Sequence, residues 1–466
     1  MKLIRNSLSL YLLETFLAPL NDRAAVSYFF RALKRMSRSG KTSNTGADEI
    51  IHRYSKQKAM SEKCRKWCNV SSVRRNTDDV AFTVMSYNIL AQDLLDFHAN
   101  LYDKHEHAAL AWPHRYDRLI AEINLVKPDI LCLQELQEDH KEQLSSGLNN
   151  FDYDMIYKKR TGYKTDGCAI YFRRDLFNLI DHQGVEYYQP HVKRLDRENV
   201  AIIAKLSVKS NPHQRLVVAT THLLYNPRRQ DIRLAQIQIL LAELDRLAFT
   251  GRYANGTPKY LPTIVCGDFN LLPYTAPYVL LTSGFLQYEN LTTNTLEPNM
   301  YGSPCGKELI PSLLGITDSC QHECLLDRVD EECKRHTRLY NSNDASTTPP
   351  LSPEYNLQTC KNFSQGNLKH CFRFCSAYKH GMTEAHTETS TFQGKWITVD
   401  YLFYTKLFNV GEKSPVDSNL KLVALYSLPT VQQAKEIYTI PNMYFGSDHF
   451  SLAGQFLLKA DIDSKL

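Results

Sequence analysis

Acidic, amide and histidine side chains end several apolar segments of this 466-residue chain. Side chains at strand ends lie on an edge that the sheet holds rigid, where binding groups usually gather. The segments and their polar residues are VMSYNIL with Asn88, ILCLQE with Glu135, VVATTHL with His222, TIVCGDFN with Asp268 and Asn270, ITVDYLFY with Asp400, and GSDHFSL with Asp448 and His449. We predict that these six segments, spread over more than 350 residues, form one site.

These residue types can together hydrolyse a phosphate ester. A carboxylate such as Glu135 is a hard oxygen ligand for Mg²⁺, which binds one or two carboxylates together with substrate phosphate and water. An amide such as Asn88 or Asn270 can donate to phosphate oxygens without adding charge. His449 can deprotonate an attacking water if a carboxylate orients its ring. One such segment alone would commonly be a turn, but the six in order indicate a divalent-metal phosphoesterase.

The segments that carry these residues predict a layered α/β fold. Strand-like segments alternate with helical patterns from Val80 onward, as in AFTVMSYN, DILCLQE, CAIYFRR, NVAIIAKLSV, RLVVATTHL and LPTIVCGDF. Residues 115–127 have one apolar helical face and are followed by Pro128, which ends the pattern. Residues 231–248 predict a second amphipathic helix. Strands mixed with covering helices are typical of layered α/β or α+β domains.

The composition divides the chain into an arm and a domain. Residues 1–80 carry 16 Lys/Arg and 7 Asp/Glu, although the whole chain has a net charge of only +5. We predict a basic, flexible arm over residues 1–78, which is either a polyanion-binding segment or a solvated tail. Residues 79–462 form the predicted phosphohydrolase domain. The polar stretch over about 286–390 is rich in turn formers and predicts an insertion with mobile loops.

The apolar segments of the chain are too short to cross a membrane. The longest candidate, residues 8–20, has 13 residues and contains Glu14, whereas a span needs about 18. We expect a frayed or docked amphipathic helix in a cytoplasmic or nuclear protein. A mitochondrial presequence or a secretory signal is the alternative for this basic start.

The cysteines do not follow a zinc-binding pattern. Seven of the 12 lie between Cys305 and Cys375, where CQHEC (320–324) has a histidine between two thiols. Structural zinc sites usually pair two CxxC knuckles, and this CxxxC spacing has no matched second half. We therefore expect no structural zinc. Cys132 and Cys266 lie inside predicted strands, as buried free thiols would.

The motifs resemble those of a known superfamily. The ordered set SYN, LQE, THL, GDFN, VDY and SDHF resembles the endonuclease/exonuclease/phosphatase superfamily. The strings SYNILAQ, LCLQE and SDHFSL resemble its carbon-catabolite-repression-type deadenylase branch, which includes nocturnin. Within that branch, HLLYNPRRQDIRLAQ (222–236) is similar to the Angel family. The resemblance covers about residues 80–460 and implies a two-sheet α/β sandwich with outer helices.

The resemblance also implies a metal site. Glu135 would ligate Mg²⁺, with Asn88 beside it and Asp448 next to the metal. Mn²⁺ could take the place of Mg²⁺, because both are held by hard oxygen ligands.

For the reacting groups, the resemblance implies five roles. Asp268 would orient or protonate at the reacting oxygens, and Asn270 would bind the phosphate. His222 would stabilise the charge that develops on the phosphorus oxygens. His449 would be the general base, and Asp400 would hold it in place.

Two departures from the deadenylase pattern concern the substrate. The acidic stretch that usually follows the THL histidine is replaced by LYNPRRQD, so that Arg228 and Arg229 either bind extra terminal phosphate or face solvent at a helix start. The sequence LLPYTAPY replaces the usual SLPDSG after GDFN, which argues against an adenine-reading pocket built on that loop. Trp396 either stacks on a base or belongs to the core.

The Angel resemblance implies an Mg²⁺-dependent RNA phosphohydrolase that removes 2′,3′-cyclic phosphates from RNA 3′ ends and leaves a free diol. The first alternative is a 3′-to-5′ exoribonuclease, a deadenylase that shortens poly(A) at mRNA 3′ regions. The second is a catalytically silent adaptor in mRNA and translation complexes. For that adaptor, YFFRALKR (28–35) has a distant similarity to a motif that docks on the cap-binding translation factor.

Overall fold

Two β-sheets pack face to face in the computed structural model of the chain. The structure describes residues 59, 62–72, 75–253, 256–298, 301–326, 328, 363–372, 374–408, 415–416 and 419–460. Buried apolar side chains of both sheets meet between them, among them Val84 and Ile130 from one sheet and Ile202, Val218 and Ile264 from the other. This inter-sheet core holds the two sheets together by burial of apolar surface.

The larger sheet has seven strands within the described residues. In spatial order they are Trp67–Asn69, Leu420–Tyr426, Leu452–Leu458, Val80–Asn88, Ile130–Gln137, Asp166–Arg173 and Tyr153–Lys159. Val80–Asn88 and Ile130–Gln137 run parallel, with Asn88 opposite Gln134. Both strands therefore end at the same edge of the sheet.

The smaller sheet has six strands within the described residues. In spatial order they are Phe374–Ser376, Asp400–Thr405, Thr263–Asp268, Asn211–His222, Val200–Val208 and Phe177–Glu186. Asp268 lies opposite His222 on a parallel neighbour and opposite Asp400 on an antiparallel neighbour. The register thus places three predicted site residues side by side.

Helices cover the outer faces of both sheets. α-Helices lie at Gln92–Phe97, His107–Leu110, Trp112–Val126, Lys141–Gly147, Gln230–Ala248, Ala276–Ser283 and Val431–Ile437. Short 3₁₀ helices lie at Ala99–Tyr102, Glu138–His140, Asn149–Phe151, Lys193–Leu195, Ser312–Leu314 and Glu323–Leu325. Two-stranded ribbons pair Phe249–Arg252 with Pro258–Tyr260, Phe285–Gln287 with Asn367–Lys369, Thr391–Phe392 with Trp396–Ile397, and Leu407–Phe408 with Pro415–Val416. The predicted two-sheet α/β sandwich with outer helices is confirmed.

Both helices expected from the apolar patterns are present, but their surroundings differ. Trp112–Val126 lays Leu119, Ile123 and Val126 against the larger sheet and ends at Lys127, which adopts a left-handed conformation with φ 53°. Gln230–Ala248 is buried at nearly every position and not only on one face. The helix is buried on its second face as well, because apolar residues of the predicted insertion pack into the same core cluster as the helix.

Parts of the predicted arm and insertion belong to the domain. Trp67–Asn69 pairs with Leu420–Tyr426 at the edge of the larger sheet, so residues 62–72 lie against the domain. Phe374–Ser376, from the insertion, is an edge strand of the smaller sheet. Residues 1–58, which include the YFFRALKR motif, and residues 329–362 lie outside the described residues. Within the described part of the chain, no helix has the length and apolarity needed to cross a membrane.

Candidate active site

The ends of the central strands of both sheets converge on one buried site. His222, Asp268 and Asp400 lie side by side on the smaller sheet. Asn88 ends a strand of the larger sheet, and its Nδ2 donates to Asp268 Oδ2 at 3.1 Å and to Glu135 Oε1 at 2.9 Å. This amide therefore joins the two sheets at the point where the polar groups gather.

Glu135 reaches the site through an irregular strand. The pairing of its strand with Asp166–Arg173 shifts between Leu133 and Leu136, and Glu135 itself has φ 59°. A positive φ is unfavourable for a residue with a side chain, and such strain concentrates at functional sites. The second carboxylate oxygen, Oε2, accepts from the backbone N–H of Ala91 at 3.0 Å. Both oxygens of Glu135 are thus held in place by neighbours.

Asp268 and Asn270 organise the turn after the central strand of the smaller sheet. Asp268 Oδ1 accepts from the backbone N–H of Asn270 at 3.0 Å, and Asn270 has φ 52°. Asn270 Nδ2 donates to the Leu223 carbonyl at 3.1 Å, which uses one of its two N–H donors. Asn270 therefore connects the Asp268 turn to the segment that follows His222.

His449 and Asp400 form a buried pair. His449 Nδ1 lies 2.7 Å from Asp400 Oδ2, and the backbone N–H of Asp400 donates to Ser390 Oγ at 3.2 Å. The His449 backbone N–H donates to Ser447 Oγ, which in turn donates to the Asn88 carbonyl at 2.6 Å. With a proton on Nδ1 shared with Asp400, the Nε2 atom is free of that proton and can accept one. The geometry is that of a carboxylate-oriented general base.

The charges around the pair shift several pKa values. Burial lowers the pKa of His449, but the charges of Asp400, Asp448 and Asp268 outweigh it and raise this pKa well above its ordinary value. Burial, followed by the charge of Asp400, raises the pKa of Asp268 to about 8. Burial and the charge of Asp448 also raise the pKa of Glu135. The site thus concentrates negative charge in a place with little water.

That concentration of acidic groups fits a divalent cation. In the described part of the chain, two groups of three potential ligands have their ligand atoms within 4.8 Å of one another, namely Glu135 with His222 and Asp268, and Asp268 with Asp400 and His449. Carboxylate oxygens are the preferred ligands of Mg²⁺, and a bound cation would relieve the repulsion among them. The donor set around Glu135 therefore suits Mg²⁺ better than a soft metal.

His222 is neutral at physiological pH in this setting. Its Nε2 lies 3.6 Å from Asp268 Oδ2, and its Nδ1, which lies 3.9 Å from Glu135 Oε1, makes no hydrogen bond within the described residues. Burial, followed by the positive charge of Arg160, lowers the pKa of His222 to about 4. A neutral imidazole can donate one hydrogen bond to a phosphate oxygen, as its predicted role requires.

The three predicted substrate-binding residues other than Asn270 lie in different surroundings. Arg228 is exposed at the start of the long helix. Arg229 makes a two-pronged ion pair with Asp231, in which both N···O distances are 2.9 Å. Trp396 is only 8% exposed and stacks on Phe450 in the inter-sheet core, with ring centroids 5.8 Å apart. Within the described residues, none of these three side chains makes a hydrogen bond or ion pair with the acid and histidine side chains of the site.

Two residues of the site were absent from the sequence-based set. Tyr102 donates from its hydroxyl to Asp448 Oδ2 at 2.9 Å and so holds this carboxylate at the edge of the site. Arg115 is fully buried and donates to the carbonyls of Ile89, Leu90 and Gly446, in the two loops that carry Asn88 and Asp448. A signal for Arg115 did exist, because it lies four residues before Leu119, on the apolar face of its helix. Tyr102 lies in a polar segment that gave no such signal.

The histidine of CQHEC pairs with a carboxylate of the long helix. His322, within CQHEC, has its Nε2 atom 2.8 Å from Glu243 Oε1. Cys320 is buried and Cys324 is exposed. Cys333 and Cys360 lie outside the described residues.

Comparisons with known proteins agree with the geometry. The model of the Endonuclease/Exonuclease/phosphatase family matches residues 85–449. Protein angel homolog 2 of Danio rerio is 32% identical over 446 residues, which cover 90% of this chain and 73% of that protein. Protein angel of Drosophila melanogaster is 30% identical over 414 residues, which cover 86% of this chain and 90% of that protein.

A solved structure gives the same relationship. The crystal structure of ANGEL2, a 2′,3′-cyclic phosphatase, in complex with adenosine-2′,3′-vanadate is 32% identical in sequence and superposes with a TM-score of 0.67. The match covers 85% of this chain and 99% of that chain. The resemblance predicted from the motifs is confirmed. This chain belongs to the endonuclease/exonuclease/phosphatase family, as a homologue of the Angel proteins.

Proposed function

We propose that this protein is an Mg²⁺-dependent RNA phosphohydrolase that converts a 2′,3′-cyclic phosphate at an RNA 3′ end into a free 2′-OH and 3′-OH. The observation that carries the proposal is one buried site holding both the His449–Asp400 pair and the Glu135 carboxylate. A base and a cation-binding acid together are what water attack on a phosphate ester requires. The similarity to ANGEL2, described as a 2′,3′-cyclic phosphatase, supports the choice of substrate.

In the proposed reaction, His449 activates the water. Its Nε2 accepts a proton as the water oxygen forms a bond to phosphorus, and Asp400 stabilises the imidazolium that results. One ribose–oxygen bond to phosphorus breaks in this step, which opens the ring to a monoester. A second hydrolysis breaks the remaining ester bond and releases inorganic phosphate.

The oxygens that gain charge have donors nearby. Asp268, with a pKa of about 8, carries a proton over part of the neutral range and can give it to the departing ribose oxygen. Neutral His222 donates to a phosphate oxygen, and Asn270 has a second N–H for the same purpose. Together, the residues of the site supply a general base, a general acid and neutral hydrogen-bond donors.

The metal would be held by the carboxylates of the site. Glu135 would ligate Mg²⁺, with Asn88 and Asp448 beside it. When bound, the cation would neutralise charge on the phosphate oxygens as the ester bond breaks.

The proposal is tested with a short RNA that ends in 2′,3′-cyclic phosphate. We expect Mg²⁺-dependent release of inorganic phosphate, an RNA of unchanged length, and a new 3′ end that poly(A) polymerase can extend. The same RNA ending in a 2′- or 3′-monophosphate separates the second hydrolysis from the first. Full phosphate release in excess EDTA would refute the metal requirement, and shortening of the RNA without loss of the cyclic end would indicate a 3′-exoribonuclease.

A further inference from the structure

The segment that follows His222 is held in one conformation by buried polar side chains. Arg233 donates from Nε to the Leu224 carbonyl at 2.9 Å, and from Nη2 to the carbonyls of Tyr225 and Asn226 at 3.3 and 2.7 Å. Gln236 Oε1 accepts from the backbone N–H of Leu224 at 3.1 Å. Three consecutive carbonyls and one amide are therefore fixed by the long helix Gln230–Ala248.

The same segment is also tied to the active site. The Leu223 backbone N–H donates to the Asp268 carbonyl at 2.9 Å, and the Leu223 carbonyl accepts from Asn270 Nδ2. Asn199 Nδ2 donates to the His222 carbonyl at 3.1 Å, and Asn199 Oδ1 accepts from Gln236 Nε2 at 3.2 Å. Both the N–H and the carbonyl of Leu223 are therefore hydrogen-bonded to site residues, and Tyr225 follows Leu223 by two residues.

Tyr225 is the exposed aromatic residue of this segment. It is 56% exposed, whereas His222 is 8% exposed and Leu223 is fully buried. Partial burial, followed by the charges of Asp448 and Asp268, raises the pKa of its hydroxyl. An open aromatic ring on a rigid backbone, beside a phosphate-binding centre, has the form of a base-stacking surface.

We propose that the ring of Tyr225 stacks on the terminal nucleobase of the RNA and so positions its ribose phosphate over the acid and histidine groups. The inference rests on the proposed function, because it takes a nucleotide as the ligand. Stacking accepts any terminal base, because every base has an aromatic face. Tyr225 would then act on binding of the 3′ end, without selecting adenine.

The test uses binding as well as turnover. An RNA pentamer whose 3′-terminal base is the fluorescent analogue 2-aminopurine is titrated with the full chain in Mg²⁺. We expect quenching of fluorescence by the wild type and by Tyr225→Phe, and about tenfold weaker binding with little quenching for Tyr225→Ala. Tyr253→Ala, which removes a 42% exposed tyrosine directly after the strand Phe249–Arg252, is the matched control and should bind as the wild type does.

A substrate without a nucleobase shows whether the effect of Tyr225 depends on stacking. For an adenosine 2′,3′-cyclic phosphate, Tyr225→Ala should raise KM about tenfold with little change in kcat, while for ribose 2′,3′-cyclic phosphate without a base the variant and wild type should be equal. Equal losses on both substrates, or a Phe variant as impaired as the Ala variant, would overturn the stacking role. If the wild type quenches 2-aminopurine but hydrolyses no cyclic phosphate, the stacking inference stands and the proposed function fails.

Discussion

The buried centre of the site and the exposed edge around it are built by different means. In the centre, each carboxylate oxygen of Glu135 and Asp268 accepts a hydrogen bond from a neighbouring strand end or turn, with Asn88, Ala91 and Asn270 as donors. These groups are aligned before any substrate arrives, which is the condition for strong electrostatic catalysis. Changes in the centre should therefore have large effects on the rate of the chemical step.

At the edge, side chains are placed by loops and remain open to water. Arg228 is exposed, and Tyr225 is more than half exposed on the segment that follows His222. Contacts in this setting are weaker, because water screens charges and competes for hydrogen bonds. We therefore propose that the centre determines the reaction and that the edge determines how the RNA end is held.

The largest loss should come from the carboxylate of the centre. Glu135→Gln keeps the shape of the side chain but removes the charge that would hold Mg²⁺, so kcat/KM should fall about 10³-fold, or roughly 4 kcal/mol. Phosphate release from a cyclic-ended RNA measures this effect. Glu138→Gln, three residues away and paired at the surface with Lys159, is the matched control and should retain activity. A Glu135→Gln enzyme with wild-type rates would break the metal assignment.

The next largest losses should come from the base and its partner. His449→Ala and Asp400→Asn should each lower kcat about 10²-fold, and the double variant should be little worse than the worse single variant, because the two act as one unit. His213→Ala, an exposed histidine, is the control and should be unaffected. Losses that add in the double variant would show that the residues act separately.

The pH profile gives this pair a second test. The base must be neutral, so the rate falls as pH drops through the pKa of His449, which the neighbouring acids raise above its ordinary value. A bound cation would offset the negative charges of Asp268 and Asp448, but it would leave the hydrogen bond between His449 and Asp400 in place. In Asp400→Asn the acidic limb should therefore move to lower pH. A limb that stays in place in this variant would contradict the assignment of His449 as the base that Asp400 tunes.

A smaller loss should follow removal of one hydrogen bond at the edge of the centre. Tyr102→Phe leaves Asp448 Oδ2 without its hydroxyl donor, and we expect about a tenfold drop in kcat/KM, which is typical of one hydrogen bond to a charged group. Tyr116→Phe removes a surface hydroxyl that donates to the Gln143 carbonyl and should change little. If both variants behave alike, Asp448 does not depend on Tyr102.

The smallest loss should come from the arginines at the start of the long helix. Arg228→Ala should raise KM by no more than about threefold, because an exposed charge contributes at most about 1 kcal/mol. Arg229→Ala should affect thermal stability more than KM, since this guanidinium is already paired with Asp231. Arg174→Ala, a similarly exposed arginine, serves as the control. A tenfold rise in KM for Arg228→Ala would assign phosphate binding to this part of the edge.

The sequence predicted most of the buried centre because the ends of strands can be recognised in it. Apolar segments that stop at a polar residue mark where a strand meets the edge of a sheet, and parallel neighbours bring those ends together, as for His222 and Asp268. The order of the six segments carried the family resemblance, and that resemblance implied the two-sheet fold and the His449–Asp400 pair. The shifted pairing that turns Glu135 into the site depends on two strands together, so the sequence of neither strand alone predicts it.

The edge could not be predicted in the same way, because its contacts are between elements that are distant in sequence. The sequence left two roles open for Trp396, and the structure places it in the inter-sheet core against Phe450. The hydrogen bond of Tyr102 to Asp448 joins residues that are 346 positions apart. Loop contacts of this kind are decided by the tertiary fold.

The most direct test of the account is a competition in one tube. Two end-labelled RNAs of different length, one ending in 2′,3′-cyclic phosphate and the other a poly(A) tail ending in 3′-OH, are incubated together with the full chain and Mg²⁺ and resolved on a denaturing gel. We predict that the cyclic-ended RNA loses its phosphate at constant length while the poly(A) RNA is degraded far more slowly. A poly(A) ladder that appears first, while the cyclic end survives, would contradict the account and identify the protein as a deadenylase.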